Sequence, residues 1–238
     1  MWLAFDTATD RASIALRVAG GAPLEQHISG ARRHAAALLP AIQDLLRRAG
    51  GALDDVQGIA VSDGPGSFTG LRVGASVAKA LAHTRAVPLW TAPSLMVRAA
   101  GVTRNSGTVL SVANALRGEL YAAAYRFHSD RIETRLPPSV HRPAELVDSG
   151  LDPAVVVGEA PPEILAILER WTGQPVVVPP EGAPRASWLL DLIGIPGGAR
   201  LVEAARDWEP VYGRPAEAQA RWEMDHGRPL PDSVGSPR

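Results

Sequence analysis

A segment of nine residues decides how this chain folds: Gly64-Pro65-Gly66-Ser67-Phe68-Thr69-Gly70-Leu71-Arg72. It lies between an apolar run, Val56 to Ser62, typical of a buried strand, and an Ala- and Gly-rich run, Gly70 to His83, typical of a helix. The glycines permit close backbone approaches, and Ser67 and Thr69 can cap the helix. Such a junction either cradles a phosphate on exposed amides or forms a tight turn needed for packing. It is not a P-loop, because the Lys-Ser or Lys-Thr pair is missing.

The first hundred residues follow an α/β order: strand, strand, strand, helix, strand, helix, strand, helix. Three short runs open the chain before the first helix, which argues against a simple Rossmann arrangement. Pro40 lies inside the first amphipathic run, where it removes a backbone donor and predicts a kink unless the regular turns of the helix begin later than Ala31. We expect strands at Trp2–Asp6, Ser13–Val18, Leu24–Ile28, Val56–Ser62 and Val87–Thr91, and helices at Ala31–Arg48 and Gly70–His83.

The second half of the chain has weaker signals. Arg117-Gly118 separates two runs as a hairpin turn would, and Pro162 is placed near the first turn of a helix. After Gly213 the sequence is polar and rich in Pro and Arg, which predicts a mobile tail. We expect strands at Thr108–Ala113, Leu120–Phe127, Ala154–Val157 and Val176–Val178, and a helix at Pro162–Trp171.

Composition excludes several classes of protein. The chain has 238 residues, 46% of them hydrophobic, which is enough for one large or two modest cores. The formal net charge of -1 gives no basic footprint for nucleic acid. The absence of cysteine excludes disulfides and thiolate metal sites and agrees with a cytoplasmic protein. The N-terminus lacks the pattern of a signal peptide, and no uncharged run reaches the roughly 18 residues of a membrane span.

Two further patterns leave alternatives open. Asp6-Thr7-Ala8-Thr9 ends the first strand with a carboxylate and hydroxyls, which either approach a nucleotide or stabilise a turn. On the helix after the glycine-rich segment, small residues recur every fourth position and leave one smooth face. That face either meets a partner or packs on the chain's own sheet. The small residues are Gly70, Gly74, Ala78 and Ala82.

Catalytic and metal motifs are missing from the sequence. The six histidines include no pair at a spacing of three or four residues, so a metal site is not expected. Ser62 and Asp63 precede the glycine-rich segment, but no Gly-x-Ser-x-Gly elbow surrounds the serine. A hydrolase triad therefore has no support.

Four segments together resemble one protein family. They are Phe5-Asp6-Thr7-Ala8, Arg33-His34 with Leu38-Leu39-Pro40, Gly64 to Arg72, and Glu209-Pro210-Val211-Tyr212. Their order and spacing are similar to those of the TsaB family, the dimerisation subunit of the bacterial tRNA threonylcarbamoyladenosine synthase. The resemblance runs from the first strand to about Tyr212.

The resemblance implies an α/β fold of two actin-like subdomains, related to sugar kinases and Hsp70, with the second subdomain degenerate. We expect the first at residues 1–102, the second at 103–212 and the tail at 213–238. The implied role is that of a non-catalytic cytoplasmic scaffold for threonylcarbamoylation of the adenosine beside the anticodon, in tRNAs that read codons beginning with A. The implied partners are a TsaD-type catalytic subunit, a TsaE-type P-loop ATPase and a second copy of the chain, with tRNA bound only through the complex.

The resemblance also implies particular residues. The catalytic paralogue has two metal-binding histidines where this chain has Ser94 and Arg98, neither of which is a substitute for imidazole. No catalytic residue, metal or resident cofactor is therefore expected, although the resemblance allows ATP or ADP at the junction with the catalytic subunit. The family's acidic position before the second hairpin is Asn114 here. Residues expected near a nucleotide are Asp6, Thr7, Gly64, Gly66, Ser67 and Thr69, and those expected at a partner or dimer interface are Leu38, Ile42, Gly70, Gly74, Ala78 and Ala82.

An enzyme is the rival interpretation. An actin-like phosphotransferase would use Asp6, Thr7 and the glycine-rich segment, but residues 103–212 show no second phosphate loop. A peptidase is disfavoured by the missing metal pair and triad.

Overall fold

The structure is a computed structural model that describes residues 1–30, 34–102 and 107–213. Its first sheet begins with an antiparallel meander of three strands, and the fourth and fifth strands then add in parallel on the other side of the first strand. The bounds are β1 Trp2–Asp6, β2 Arg11–Arg17, β3 Leu24–Ser29, β4 Gly58–Ser62, β5 Leu89–Ala92 and β10 Arg200–Leu201. The sheet order is β3-β2-β1-β4-β5, with β10 at the far edge.

The second sheet repeats this topology in shortened form. Three strands again form an antiparallel meander, and a fourth pairs in parallel with the first of them. Where a fifth strand would complete the repeat, the described residues form a single parallel bridge between Val157 and Val177. The strand expected at Val176–Val178 is therefore not formed in full. This repeat is the expected pair of actin-like subdomains, the second of them degenerate. The bounds are β6 Thr108–Asn114, β7 Leu120–Phe127, β8 Ile132–His141 and β9 Pro153–Glu159.

Helices cover the sheets. The described α-helices are α1 His34–Arg48, α2 Phe68–Arg85, α3 Ser94–Ala100, α4 Pro143–Val147, α5 Pro162–Thr172 and α6 Ala186–Asp191, with a 3-10 turn at Leu53–Asp55. The expected helix start at Ala31 lies outside the described residues, as does nearly all of the expected tail. Pro40 lies within α1 on its exposed side. Within the described ranges, no helix has the length and apolar character needed to cross a membrane.

The first sheet has two very different faces. Because side chains alternate along a strand, one face carries Leu3, Phe5 and Ile59, which pack under α1 and α2. The other face carries Ala4, Ala15 and Ala60, and these small side chains let α6 approach closely. The core on this second side continues through α3 to the second sheet, so one apolar cluster joins the two sheets.

Two helices pack on the sheet that the other half of the chain forms. α3 follows β5 of the first sheet but packs on strands of the second sheet, whereas α6 comes from the second half and packs on the first. β10 also joins the first sheet although it lies near the C-terminal end. The division at residues 102 and 103 stays a prediction, but the sheets do not follow it throughout.

Candidate functional site

A cleft of about 1220 Å³ lies between the two sheets. The turn after β1, the glycine-rich loop (residues 64–67) and the start of α3 form one wall of the cleft. The β6–β7 turn and the end of β9 form the other wall. The lining is mostly apolar with a few charged groups, which is the usual make-up of a small-molecule site. Its charged side chains are Asp10, Arg98, Arg117, Glu119, Arg142 and Glu159.

The glycine-rich loop is packed against the chain's own backbone. Gly64 has a φ of 101°, and a Cβ on it would lie 2.1 Å from the Val211 carbonyl oxygen. A Cβ on Gly66 would lie 2.3 Å from the Ala8 carbonyl oxygen, and the Ser67 amide donates to that same oxygen at 2.7 Å. These contacts favour the tight-turn interpretation, because a phosphate cradle needs free backbone amides. Of the amides in residues 64–67, that of Ser67 is therefore already bonded within the chain.

Asp6 and Thr7 are fully buried beneath the loop and do not line the cleft. Thr7 Oγ1 donates to the Gly70 carbonyl oxygen at 2.8 Å, and Asp6 Oδ1 accepts from the Ala8 amide at 3.1 Å. Thr7 therefore links the end of β1 to α2, and Asp6 accepts a hydrogen bond from the turn that follows β1. Of the six residues expected near a nucleotide, only Gly66 and Ser67 line the cleft.

The Asp6 carboxyl is buried with only partial compensation for a negative charge. Its Oδ2 has no hydrogen-bond partner among the described residues, and the Ser62 hydroxyl lies nearby without reaching hydrogen-bonding geometry. Burial raises the pKa of the Asp6 carboxyl, and the Ser62 hydroxyl, the Ala8 amide and the charges of Arg98 and His34 only oppose this effect. Because the folded-state pKa lies above the unfolded one, the folded protein keeps this proton to a higher pH.

We therefore expect Asp6→Asn to be more stable than the wild type at pH 7 and not at pH 4. The contribution of Asp6 to stability is fully present below its unfolded pKa, near 3.8, and is lost as the pH rises through the folded pKa. Asparagine keeps the acceptor for the Ala8 amide and has no charge to desolvate. Urea unfolding of both proteins from pH 4 to pH 7 measures the difference in their free energies of unfolding. A stability advantage of Asp6→Asn over the wild type that does not grow as the pH rises would contradict this account.

Several cleft residues were not singled out as site residues by the sequence. Glu159, Arg142 and Tyr121 carry no motif, and the fold alone brings them to the cleft. Ser94 and Arg98 were noted only as poor metal ligands, whereas both are buried and line the cleft wall. In the described ranges no cluster of three or more His, Asp or Glu side chains is placed to hold a metal ion.

A C-terminal strap, residues 208–212, crosses the outside of the glycine-rich loop. The Val211 amide donates to the Asp63 carbonyl oxygen at 2.6 Å, and Glu209 pairs with Lys79 of α2 at 3.1 Å. The Tyr212 ring packs on Phe68 with 4.7 Å between ring centroids. The strap therefore covers the loop and completes one edge of the cleft.

The six residues expected at a partner interface are all buried inside this chain, which corrects that expectation. The small-residue face of α2 packs on the first sheet: a Cβ on Gly70 would lie 2.0 Å from the Thr7 carbonyl oxygen, and one on Gly74 would lie 2.4 Å from Thr7 Oγ1. The other four side chains join the apolar core under α1 and α2. The residues concerned are Leu38, Ile42, Gly70, Gly74, Ala78 and Ala82.

Comparison with known proteins gives the fold and the cleft a context. The family model described as "TsaD: tRNA N6-adenosine threonylcarbamoyltransferase" matches residues 28–166. The chain is 36% identical over 146 residues to the tRNA threonylcarbamoyladenosine biosynthesis protein TsaB of Escherichia coli K12, covering 58% of this chain and 63% of that protein. It is 31% identical over 135 residues to the TsaB protein of Bacillus subtilis 168, covering 57% and 59%. These matches span about three fifths of the curated relatives' length.

A solved structure extends the similarity over most of the chain. YeaZ from Pseudomonas aeruginosa superposes with a TM-score of 0.68 at 32% identity, covering 81% of this chain and 90% of that one. The fold and the family match define an actin-like protein of the group that includes the threonylcarbamoyltransferases. Within that group, the chain belongs to the TsaB family.

Proposed function

We propose that this chain is a non-catalytic subunit in the biosynthesis of tRNA threonylcarbamoyladenosine, and that it supports a TsaD-type catalytic subunit. Membership of the TsaB family supports the pathway, since relatives carry that biosynthetic name. The packed glycine-rich loop is the observation that supports the non-catalytic role. Val211 and Ala8 pack directly against Gly64 and Gly66, and the Ser67 amide is already bonded to the Ala8 carbonyl oxygen.

The single apolar core between the sheets adds to this interpretation. Actin-like phosphotransferases need their two subdomains to close around substrate, a hinge motion that a continuous core resists. Here α3 and α6 lie in one cluster with side chains from both sheets. A fixed arrangement suits a subunit that presents a constant surface to a partner.

The outward faces of α1 and α2 are the surface that we assign to partner binding. The two helices pack side by side on the first sheet and bury their inner faces there. Outside, α1 exposes Leu39 to 46% together with Ala36 and Pro40, and α2 exposes Ser76 and Ala80. A surface with these apolar and small side chains suits a protein interface. A second copy of the chain and the TsaD-type subunit would compete for it.

The remaining components of the proposal follow from the family. The chain has no cofactor of its own, and ATP or ADP binds where the catalytic subunit meets it. A TsaE-type ATPase completes the assembly, tRNA is reached only through the complex, and the site of action is the cytoplasm.

The proposal is tested by reconstituting threonylcarbamoylation. Purified TsaD-type and TsaE-type subunits are incubated with tRNA, the carbamoyl-adenylate synthase, bicarbonate, threonine and ATP, with and without this chain. We expect modified tRNA only when the chain is present, and no ATP hydrolysis by the chain alone. Equal modification without the chain would reject the assignment, and ATP hydrolysis by the chain alone would favour the phosphotransferase.

Ala80→Glu is expected to abolish modification in the same assay and to weaken binding to the TsaD-type subunit at least tenfold, because it places a charge on the outward face of α2. Ala144→Glu, on exposed α4 of the other sheet, is the matched control and should behave as wild type. Ala78 is unsuitable because it is fully buried, so a charge there would unfold the chain. Undiminished binding of Ala80→Glu, measured by calorimetry, would place the interface elsewhere.

A further inference from the structure

Helix α3 is attached to the first sheet at its first turn. The Ser94 amide donates to the Gly64 carbonyl oxygen at 2.8 Å, and Ser94 Oγ donates to the Pro65 carbonyl oxygen. Both acceptors belong to the glycine-rich loop, which follows β4 directly. The start of α3 is therefore fixed to the loop at the end of the first sheet.

One turn later, the same helix is attached to the second sheet. Ser94 and Arg98 are four residues apart and so lie on one helix face. Arg98 Nη1 donates to the Val112 carbonyl oxygen in β6, and Nη2 donates to Glu159 Oε1 at the end of β9, at 2.8 Å. The guanidinium therefore joins two neighbouring strands of the second sheet to the helix.

The two partners in this ion pair differ in burial. The Arg98 side chain is 2% exposed, whereas Glu159 is 45% exposed at the cleft. A charge this deeply buried is stable only while its partner is in place. The approach of β9 to Val112 also depends on Gly158, because a Cβ there would lie 1.9 Å from the Val112 carbonyl oxygen.

We propose that Arg98 is a positioning residue that makes α3 a rigid strut between the two sheets and so sets the width of the cleft. The planar guanidinium can hold a carbonyl and a carboxylate at once in fixed directions, which a lysine ammonium cannot do. The helix face carries one anchor for each sheet, so a change in the angle between the sheets has to break either the Ser94 or the Arg98 contacts. This inference concerns the isolated chain and does not depend on the proposed function.

The distance between the sheets can be measured directly because the chain contains no cysteine. Spin labels on Thr84→Cys in α2 and Glu163→Cys in α5, both exposed, report on the first and second sheets respectively. Double electron–electron resonance, with labelled protein diluted in unlabelled protein, gives the distance distribution within one chain. We expect a narrow distribution for the otherwise unchanged chain.

Substitution of Arg98 or Glu159 should loosen the attachment of α3 to the second sheet. Arg98→Met is expected to broaden the distribution and shift it to longer distance, and Arg98→Lys to give an intermediate result. Glu159→Ala, a change at a half-exposed residue, should also broaden it because Arg98 loses its carboxylate. Glu133→Ala removes the exposed Arg135 ion pair of the same sheet and should leave the distribution unchanged.

Chemical rescue separates the role of the guanidinium from a general loss of packing. Guanidinium chloride at low millimolar concentration should narrow the distribution of Arg98→Ala again, and urea at the same concentration should not. A distribution as narrow as the wild type in folded Glu159→Ala and Arg98→Met, judged by circular dichroism, would overturn the proposal. The shared apolar core would then be sufficient to fix the sheets.

Discussion

Replacing Gly70 with alanine is expected to lower the free energy of unfolding by about 2 kcal/mol or more through overpacking. Helix propensity alone predicts the opposite sign, because alanine is favoured over glycine in a helix by up to about 1 kcal/mol. The steric effect is larger here, since the new Cβ would lie 2.0 Å from the Thr7 carbonyl oxygen. Thr7 cannot move away without losing the hydrogen bond from its Oγ1 to the Gly70 carbonyl oxygen.

Urea unfolding of Gly70→Ala and Ser76→Ala distinguishes the two effects. Ser76 is exposed on the same helix, so its replacement by alanine should leave stability unchanged or raise it by about 0.5 kcal/mol. If Gly70→Ala is instead as stable as the wild type or more so, α2 does not press on the end of β1. The smooth face of α2 would then be available to a partner, as the sequence had left open.

Much of the first sheet can be predicted from sequence because its strands are short apolar runs with clear ends. β1 is predicted to the residue, and β2 is displaced by two residues at its start and one at its end. The glycine-rich loop also stands out, since three glycines between a buried strand and a helix are rarely accidental. The sequence does not show whether this loop binds a phosphate or forms a tight turn. That choice depends on Val211 and Ala8, which are distant in the chain and contact the loop only after folding.

The second half shows which physical signals fail. β8 was missed because it contains Pro137 and Pro138 and lies at an exposed sheet edge, so it has no apolar alternation. α3 was expected as the last element of the first hundred residues, but without bounds, because six of its seven residues are buried and leave no amphipathic period to detect. Without those bounds, the sequence could not bring Arg98 to Glu159. A similar ambiguity affects the interface prediction. An apolar helix face with small side chains has the same sequence pattern whether it packs on a partner or on the chain's own sheet.

Tyr212→Ala is expected to lower the free energy of unfolding by about 3 kcal/mol, the usual cost of removing a buried aromatic ring. Tyr212 is 4% exposed, its ring packs on Phe68, and Arg72 lies 5.9 Å from its centroid. Tyr212→Phe is the matched control. The Tyr212 hydroxyl of the wild type is 3.5 Å from Glu209 Oε2, at the limit of a hydrogen bond. Replacing tyrosine with phenylalanine should therefore lower the free energy of unfolding by less than about 0.5 kcal/mol.

The second consequence of Tyr212→Ala concerns the glycine-rich loop itself. The strap reaches the loop through the Val211 amide and carbonyl group, so loosening its end should let residues 64–67 open locally. Hydrogen exchange at the Ser67 amide, which donates to the Ala8 carbonyl oxygen, is therefore expected to accelerate at least tenfold in Tyr212→Ala and not in Tyr212→Phe. If stability falls while exchange at Ser67 stays slow, the turn after β1 holds the loop closed by itself. The strap would then stabilise the fold without controlling the loop, and the closed loop would be a property of β1, its turn and α2 alone.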